Sequence, residues 1–346
     1  MGEKELAELL REQLLVTVIA RPAAPLFDAY LMVDWSSNSG LHRREPSPNA
    51  PWLAEAEWGE TGLDWRPERY ARSRAECVAV LRERLAFHLE RRRRVLVGFD
   101  FSFGYPAGYA KALGLSGVPW RAIWDEVARP TSPGGWMAPD NAFATPDNRN
   151  NRFEVASHLN RRVAVHGGTE GGPLYGCPAS EVTPWFRQKS PGFPYRSSGG
   201  ALTEFRRAEE ALRKAALRPL SSWWVLGARV PTVGGQVLTG IPSVRALRDD
   251  PDLQPARVWP FEGGFEAELP TSGPLVVYAE IWPGLVNAVL PPLAVRDQAQ
   301  VRAMVTWLAQ QEVAGTLRAR FGTPPGLSSA EVERCASEEG WILGAH

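Results

Sequence analysis

The sequence is poor in cysteine and has no long apolar run. Its 346 residues include three cysteines, Cys77, Cys177 and Cys335, which are widely spaced and form no C-x-x-C pair. This odd, scattered set argues against both a disulfide framework and a zinc knuckle. No apolar stretch approaches the ~20 residues of a membrane-spanning helix, and the N-terminal segment lacks the pattern of a signal peptide. We therefore expect a cytoplasmic protein without a membrane partner.

An excess of charge of one sign is also missing. Lys+Arg and Asp+Glu both total 39, so the formal net charge at pH 7 is zero. This balance argues against a generally basic nucleic-acid-binding surface and against an acidic tail, although a local basic groove is compatible with it. The phosphate-binding loop patterns and the nucleophile motif G-x-S-x-G are absent too.

What the sequence does contain is an alternation of strand-like apolar runs with amphipathic helical patterns. This alternation predicts an α/β fold with a largely parallel sheet flanked by helices. The predicted strands are Ala29–Trp35, Trp52–Trp58, Val95–Phe103, Ser222–Val230 and Leu275–Trp282. The predicted helices include Glu3–Val16, Glu68–Arg94, Arg152–Arg162, Leu202–Leu217, Val295–Phe321 and Glu331–Gly340.

The pattern becomes less regular in the middle of the chain, where Gly- and Pro-rich segments are frequent. We interpret residues 1–106 and 265–346 as two parts of one core. Residues 107–264 are then a long insertion between core strands, as an elaboration or a lid. Within it, the glycine-rich segment Val233–Gln236 is predicted to be a turn.

Three carboxylates stand where strand-like apolar runs would bury them. They are Asp34, Asp100 and Glu280. Burying an ionised carboxylate costs several kcal/mol unless something compensates for it. The first two lie toward the C-terminal ends of their strands, where open α/β sheets bind ligands, and the third is two or three residues from its strand end. Three acids at one sheet edge repel one another, and divalent cations are the usual remedy.

A fourth acid, Asp297, opens a predicted helix. Its offsets of four, seven and eleven residues to Val301, Met304 and Leu308 place it on the face that points toward the sheet. Four inward-facing carboxylates predict a one- or two-metal site for Mg²⁺ or Mn²⁺. In such sites the metal activates water and stabilises the leaving oxygen in phosphodiester hydrolysis. All four acids are therefore both the candidate catalytic residues and the candidate metal ligands.

Structural roles for the same acids remain open at this level. Asp297 is also compatible with the N-cap of its helix. Asp34 is compatible with capping the turn through Ser36 and Ser37. The other two carboxylates are compatible with ion pairs to arginine.

Candidate substrate contacts come from two polar segments. In Asp147–Glu154, residues Arg149, Asn151 and Arg152 supply amide and guanidinium groups suited to phosphates or base edges. The alternative is a solvated loop and helix start. Ser36 and Ser37, in the turn that follows the first strand, complete the predicted substrate-binding set.

Short motifs around the acids resemble those of the predicted ribonuclease H-like nuclease family called DUF429. The matching segments are Val33–Trp35, Phe99–Pro106 and Val277–Pro283, with Asp297 at the family's acidic helix start. Here Ala279 separates Tyr278 from Glu280, which is an additional residue relative to the family motif. The resemblance implies a ribonuclease H-like mixed sheet in which the first, fourth and fifth strands are neighbours. Asp34, Asp100 and Glu280 would then converge.

Together these features predict metal-dependent phosphodiester hydrolysis on a nucleic acid or nucleotide substrate. Two alternatives remain. One is an ATP-dependent phosphotransferase of the actin-like and sugar-kinase type, in which Asp34–Ser39 would form a phosphate-binding hairpin. The other is a non-catalytic nucleotide- or cofactor-binding protein on the same fold.

Overall fold

A seven-stranded mixed β-sheet runs through the centre of the molecule. The computed structural model describes residues 19–129, 147–168, 174–177, 182–188, 194–225, 232–265 and 269–345. The predicted helix Glu3–Val16 lies outside these residues. Among the helices that are described, none is long and apolar enough to cross a membrane.

The main sheet is mixed, because its second strand along the chain runs in the opposite sense to the strands on either side of it. Its strands are β1 (Ala29–Asp34), β2 (Trp52–Trp58), β3 (Leu63–Trp65), β4 (Arg69–Tyr70), β5 (Arg94–Phe99), β10 (Ala256–Val258) and β11 (Leu275–Glu280). The order is β10-β11-β5-β1-β2-β3, and β4 also pairs with β2. Strands β10, β11, β5 and β1 are parallel, whereas β2, β3 and β4 join through antiparallel pairs. The short strands β6 (Gly176–Cys177), β7 (Arg187–Gln188), β8 (Tyr195–Ser197) and β9 (Gly200–Leu202) form two small sheets.

Helices lie against both faces of the main sheet. They are α1 (Arg74–Glu90), α2 (Tyr109–Ala112), α3 (Pro119–Val127), α4 (Arg152–His166), α5 (Arg207–Lys214), α6 (Gly234–Asp249), α7 (Arg296–Val313) and α8 (Ser329–Arg334). A π-helical turn, Cys335–Glu339, continues α8, and single 3-10 turns occupy Pro251–Leu253, Pro283–Leu285, Asn287–Val289 and Arg318–Phe321.

Strand β1 shows why its sequence is apolar throughout. Ala29, Leu31 and Val33 pack into a core with α1, α3, α4 and α6, while Tyr30 and Met32 pack on the opposite side in a core with α7. Because successive side chains of a strand point to opposite faces, a strand covered on both faces needs apolar residues at every position. The predicted α/β class with helices on both faces is confirmed.

Several predicted elements are wrong in detail. The sheet is mixed, as the resemblance implies, and is not largely parallel, because β2 pairs antiparallel with β1, β3 and β4. Helix α1 begins at Arg74 instead of Glu68, since Ser73 is its N-cap and accepts a hydrogen bond from the Glu76 N–H. Likewise α7 ends at Val313, well before the predicted Phe321.

The middle of the chain holds two further corrections. The glycine-rich segment predicted as a turn is the first turn of α6, a helix of 16 residues that the sequence reading missed. In the predicted strand Ser222–Val230, the described residues 222–225 form no strand, and Trp224 makes only an isolated bridge with Gly176. Strand β10 also lies in the stretch interpreted as an insertion, and it pairs with β11 in the main sheet.

Candidate carboxylate site

Strand register brings Asp34 and Asp100 together. Met32 of β1 lies opposite Gly98 of β5, and both face the α7 side: a Cβ built on Gly98 would lie 2.5 Å from the Met32 sulfur and 2.7 Å from Ile281 Cγ2. Asp34 and Asp100 lie two residues after Met32 and Gly98, so their side chains point to that same face of the sheet. Asp34 thus ends β1, and Asp100 directly follows the parallel neighbour β5, at what we call the carboxyl edge of the sheet.

Helix α7 adds a third carboxylate to this edge. Its N-cap is Val295, so the N-cap interpretation of Asp297 is wrong. Val301, Met304 and Leu308 are buried as the spacing predicted, and Asp297 lies close enough to raise the pKa of both strand aspartates. Its Oδ2 accepts a hydrogen bond from the backbone N–H of Asn49 at 2.7 Å.

Asp34 is the most unusual member of the cluster. Its side chain is only 8 % exposed, yet it accepts no hydrogen bond from any residue that the structure describes. The Ser36 hydroxyl donates instead to the Asn49 carbonyl at 2.5 Å, so the predicted capping of the turn by Asp34 is wrong. Asp100 is better satisfied, because its Oδ1 accepts the Trp35 N–H at 2.7 Å. A carboxylate with so little exposure and no donor among the described residues is costly to hold in its charged form.

Burial and the repulsion between neighbouring carboxylates raise the pKa values of Asp34 and Asp100. Burial first, and then the charges of Asp100 and Asp297, raise the pKa of Asp34 well above its ordinary value, with partial relief from Arg296. Burial raises the pKa of Asp100 to about 7, the Trp35 N–H opposes the shift, and repulsion from Asp297 and Glu280 adds to it. At neutral pH the cluster therefore holds a proton or needs a cation.

Glu280 is directed to the opposite face of the sheet from Asp34 and Asp100, although its charge still raises the pKa of Asp100. Alternation along β11 places Val277 and Ala279 in the core on the α7 side and Tyr278 in the opposite core, and Glu280 follows the phase of Tyr278. Because a shift of one residue moves a side chain to the other face of a sheet, Ala279 and Glu280 face opposite sides.

A buried arginine satisfies Glu280. The Arg206 guanidinium donates to its two carboxylate oxygens at 2.6 and 2.8 Å, and the Phe103 N–H donates at 3.1 Å. Arg206 is 1 % exposed and also binds Glu209 and the carbonyl of Glu339. The ion-pair alternative left open by the sequence therefore describes Glu280, while the described residues offer no such partner to Asp34 or Asp100.

Removal of Arg206 is expected to destabilise the protein strongly. Breaking a buried ion pair by deleting one partner costs about 3–5 kcal/mol, because the other charge is left buried and unpaired. We expect Arg206→Met to lower the free energy of unfolding by this amount in urea titrations. The double variant Arg206→Met, Glu280→Gln should recover part of the loss. Wild-type stability in the single variant would show that the ion pair is dispensable.

The donor chemistry of the three aspartates suits a hard divalent cation. Carboxylate oxygens are the ligands that Mg²⁺ and Mn²⁺ prefer, and one of the three carboxylates has no described donor. In their present positions, no group of three or more His, Cys, Asp or Glu side chains among the described residues is arranged to hold a metal ion. Glu280 fits a metal poorly, because Arg206 binds both of its oxygens. Asp34, Asp100 and Asp297 therefore supply the donor chemistry of a divalent-cation site, although they are not arranged as one among the residues that the structure describes.

An open cleft of about 330 Å³ lies beside the cluster. The first turns of α6 and α7 border it, and so does the segment that follows β11. Charged and polar lining residues include Asp100, Asp297, Arg296 and Gln236, and apolar ones include Leu220 and Trp282. Gln236 also donates to the Trp35 carbonyl at 2.7 Å, which ties α6 to the end of β1.

The predicted substrate-binding residues lie on a neighbouring pair of loops. The amide of Asn150 donates to the Ser37 carbonyl at 3.0 Å, and Arg152 donates to Asn150 at 2.8 Å. A Cβ built on Gly235 would lie 2.7 Å from Ser37 Oγ and 3.1 Å from Arg152 Cδ. Ser37 and Arg152 therefore meet the start of α6.

The remaining predicted contacts have separate surroundings. The Ser36 hydroxyl donates a hydrogen bond to the Asn49 carbonyl, and Asn151 directly precedes α4. Arg149 is 80 % exposed and pairs with Asp147 at 2.9 Å. None of the five predicted contacts is among the described residues that line the cleft. Their role in substrate binding stays a prediction.

The sequence reading missed Arg296 and Gln236. A usable signal existed for Arg296, which directly precedes the singled-out Asp297 and so starts the same helix. For Gln236 the signal was masked by the two preceding glycines, which suggested a turn where α6 begins.

Known proteins give no independent indication of function. Comparisons of the chain with protein-family models, with curated proteins and with solved structures found no match. The site and the topology of the sheet therefore carry the functional argument.

Proposed function

We propose that this protein is a metal-dependent phosphodiesterase or nuclease with a ribonuclease H-like core. One observation carries the proposal: Asp34 is buried without a hydrogen-bond donor among the described residues, beside Asp100 and Asp297. Such a cluster destabilises a metal-free fold, and a bound divalent cation would compensate for it. Carboxylates gathered at the ends of adjacent strands are suited to this task.

Strand order supports the ribonuclease H-like part of the proposal. Strand β1 lies between the antiparallel β2 and the parallel β5, and β11 follows next to β5. The resemblance in the sequence implies the same neighbours for the strands that bear the three acids. Strand β10 extends the sheet beyond this core on the β11 side.

Each residue of the site has a distinct part in the proposed reaction. Asp34 and Asp100 hold the metal from the strand ends, and Asp297 holds it from the first turn of α7. The Trp35 N–H keeps one oxygen of Asp100 in place. When bound, Mg²⁺ or Mn²⁺ supplies Lewis-acid activation of the phosphodiester and neutralises the carboxylates. Glu280, held by Arg206, forms part of the cleft wall and is not a ligand in this proposal.

A hydrolysis assay tests the proposal. We expect the protein to cleave bis(4-nitrophenyl) phosphate or short oligonucleotides in the presence of Mn²⁺ or Mg²⁺, and to lose this activity when EDTA removes the metal. Ca²⁺ is the matched ionic control, because its larger and more flexible coordination shell supports binding better than catalysis at such sites. Absence of metal-dependent cleavage from every phosphodiester tested would refute the proposed activity.

A further inference from the structure

Among the described residues that line the cleft, one cationic side chain, Arg296, is available to an anionic ligand. Arg296 is exposed and forms no ion pair with any acid that the structure describes. Arg206 is buried and is not among the described residues that line the cleft. Its guanidinium already donates to Glu209, Glu280 and a backbone carbonyl. One guanidinium beside a metal-binding edge matches one phosphate group.

The other charged side chains in the described lining of the cleft are acidic, and they would repel a polyanion. Asp100, Asp297, Glu209 and Glu280 all contribute to its lining. Proteins that bind a long nucleic acid make about 6–10 phosphate contacts through Lys and Arg. The lining of this cleft lacks such a row of cations among the described residues, and the formal net charge of the chain is zero. Flanking phosphates of a long strand would therefore meet carboxylates.

The lining of the cleft also includes apolar residues, which we call the apolar wall. It includes Pro219, Leu220, Trp282 and Pro283. Leu220 is 42 % exposed, so its side chain is accessible to a ligand in the cleft. The cleft volume of about 330 Å³ lies near the lower end of the roughly 300–1,000 Å³ range of small-molecule sites. The wall and the volume fit one compact organic group.

We infer that the substrate is a nucleotide-sized phosphodiester with one reacting phosphate and an apolar or aromatic ester group. Arg296 contacts the phosphate, and the Leu220–Trp282 wall packs against the organic group. This inference deepens the proposed function and rests on it. It makes Arg296 a specificity-determining residue outside the metal-binding set.

Hydrolysis of substrates of graded length tests the inference. With Mn²⁺ present, kcat/KM is measured for four substrates: bis(4-nitrophenyl) phosphate, a dinucleotide, a single strand of ~20 nucleotides and the corresponding duplex. The two long substrates are of a size at which a polyanion makes many phosphate contacts. Arg296→Gln is expected to raise KM for the two small substrates about tenfold to a hundredfold, since it removes a hydrogen bond to a charged group. The matched control is Arg318→Gln, an exposed arginine beyond the far end of α7.

Equilibrium binding separates failure of the inference from failure of the proposed reaction. Calorimetry with adenosine 5′-monophosphate and Mg²⁺ should show binding that Arg296→Gln weakens about tenfold and Arg318→Gln leaves unchanged. Binding of this kind without hydrolysis would support the ligand class and refute the hydrolytic activity. A preference for the duplex, or equal behaviour of the two arginine variants, would overturn the inference and leave the proposed hydrolysis standing.

Discussion

Asp34→Asn is expected to abolish metal-dependent phosphodiester cleavage while the protein stays folded. Asp34 brings a buried carboxylate to the cluster and accepts no hydrogen bond from the described residues, so no structural contact is lost with its charge. Even partners that only orient metal ligands are worth about 10–100-fold in metal affinity or activity. Loss of a ligand should therefore reduce kcat/KM at least about 100-fold.

The matched control for this substitution is Asp252→Asn. Asp252 is exposed in the 3-10 turn that precedes β10, at the opposite edge of the parallel strands. Both variants should show wild-type circular dichroism, and only Asp34→Asn should lose cleavage. Equal activity of the two variants would remove Asp34 from the catalytic machinery.

Asp100→Asn is expected to stabilise the metal-free protein, and to do so more at pH 8 than at pH 5. Burial, with repulsion from Asp297, raises the pKa of Asp100 in the folded state to about 7, whereas an aspartate in an unfolded chain titrates near 3.9. The folded state therefore holds a proton that the unfolded state releases. The stability linked to that proton is fully present below about pH 4 and is lost as the pH rises through about 7.

Asp100→Asn is expected to raise the free energy of unfolding, and this increase should be on the order of 2 kcal/mol larger at pH 8 than at pH 5. Urea unfolding in EDTA at the two pH values measures it, with Asp252→Asn as the neutral control. Saturating Mn²⁺ should raise the free energy of unfolding of the wild type at pH 8, because a ligand that binds only the folded state stabilises it. The difference in free energy of unfolding between the wild type and the variant should therefore become smaller. A variant that is less stable than the wild type at pH 8 would contradict the raised pKa.

The positions of Asp34 and Asp100 followed from local sequence. Both interrupt or end apolar strands, and the cost of burying a charge is visible without knowledge of the partner strand. The face of α7 was equally predictable, because the spacing from Asp297 to Val301, Met304 and Leu308 is that of one helix face. Short-range patterns therefore sufficed for the three aspartates.

Glu280 shows where such reasoning stops. The apolar run predicted a strand that continues to Trp282, but β11 ends at Glu280 itself. The face of Glu280 depends on the phase of β11 against β5, in which Glu280 pairs with Phe99 and Ala279 with Gly98. Its partner Arg206 lies 74 residues away in sequence. With no local pattern linking the two, the ion pair could be stated only as an alternative.

Helix α6 was missed for a different reason. It begins with two glycines and contains Pro242, residues that ordinarily disfavour helices. Burial of its apolar side, including Val237, Ile241 and Val244, compensates for this poor propensity. Tertiary packing thus overrides the local signal, and the cleft border that α6 provides could not be predicted.

Titration of the metal-free protein with Mn²⁺ tests the central claim most directly. In the proposed site the three aspartates hold the metal, so Asp34→Asn, Asp100→Asn and Asp297→Asn should each weaken binding at least about 100-fold. Glu280→Gln, which leaves those three carboxylates in place, should retain binding close to that of the wild type. Absence of Mn²⁺ binding by the wild type, or binding that depends on Glu280 and not on Asp34, would contradict the account.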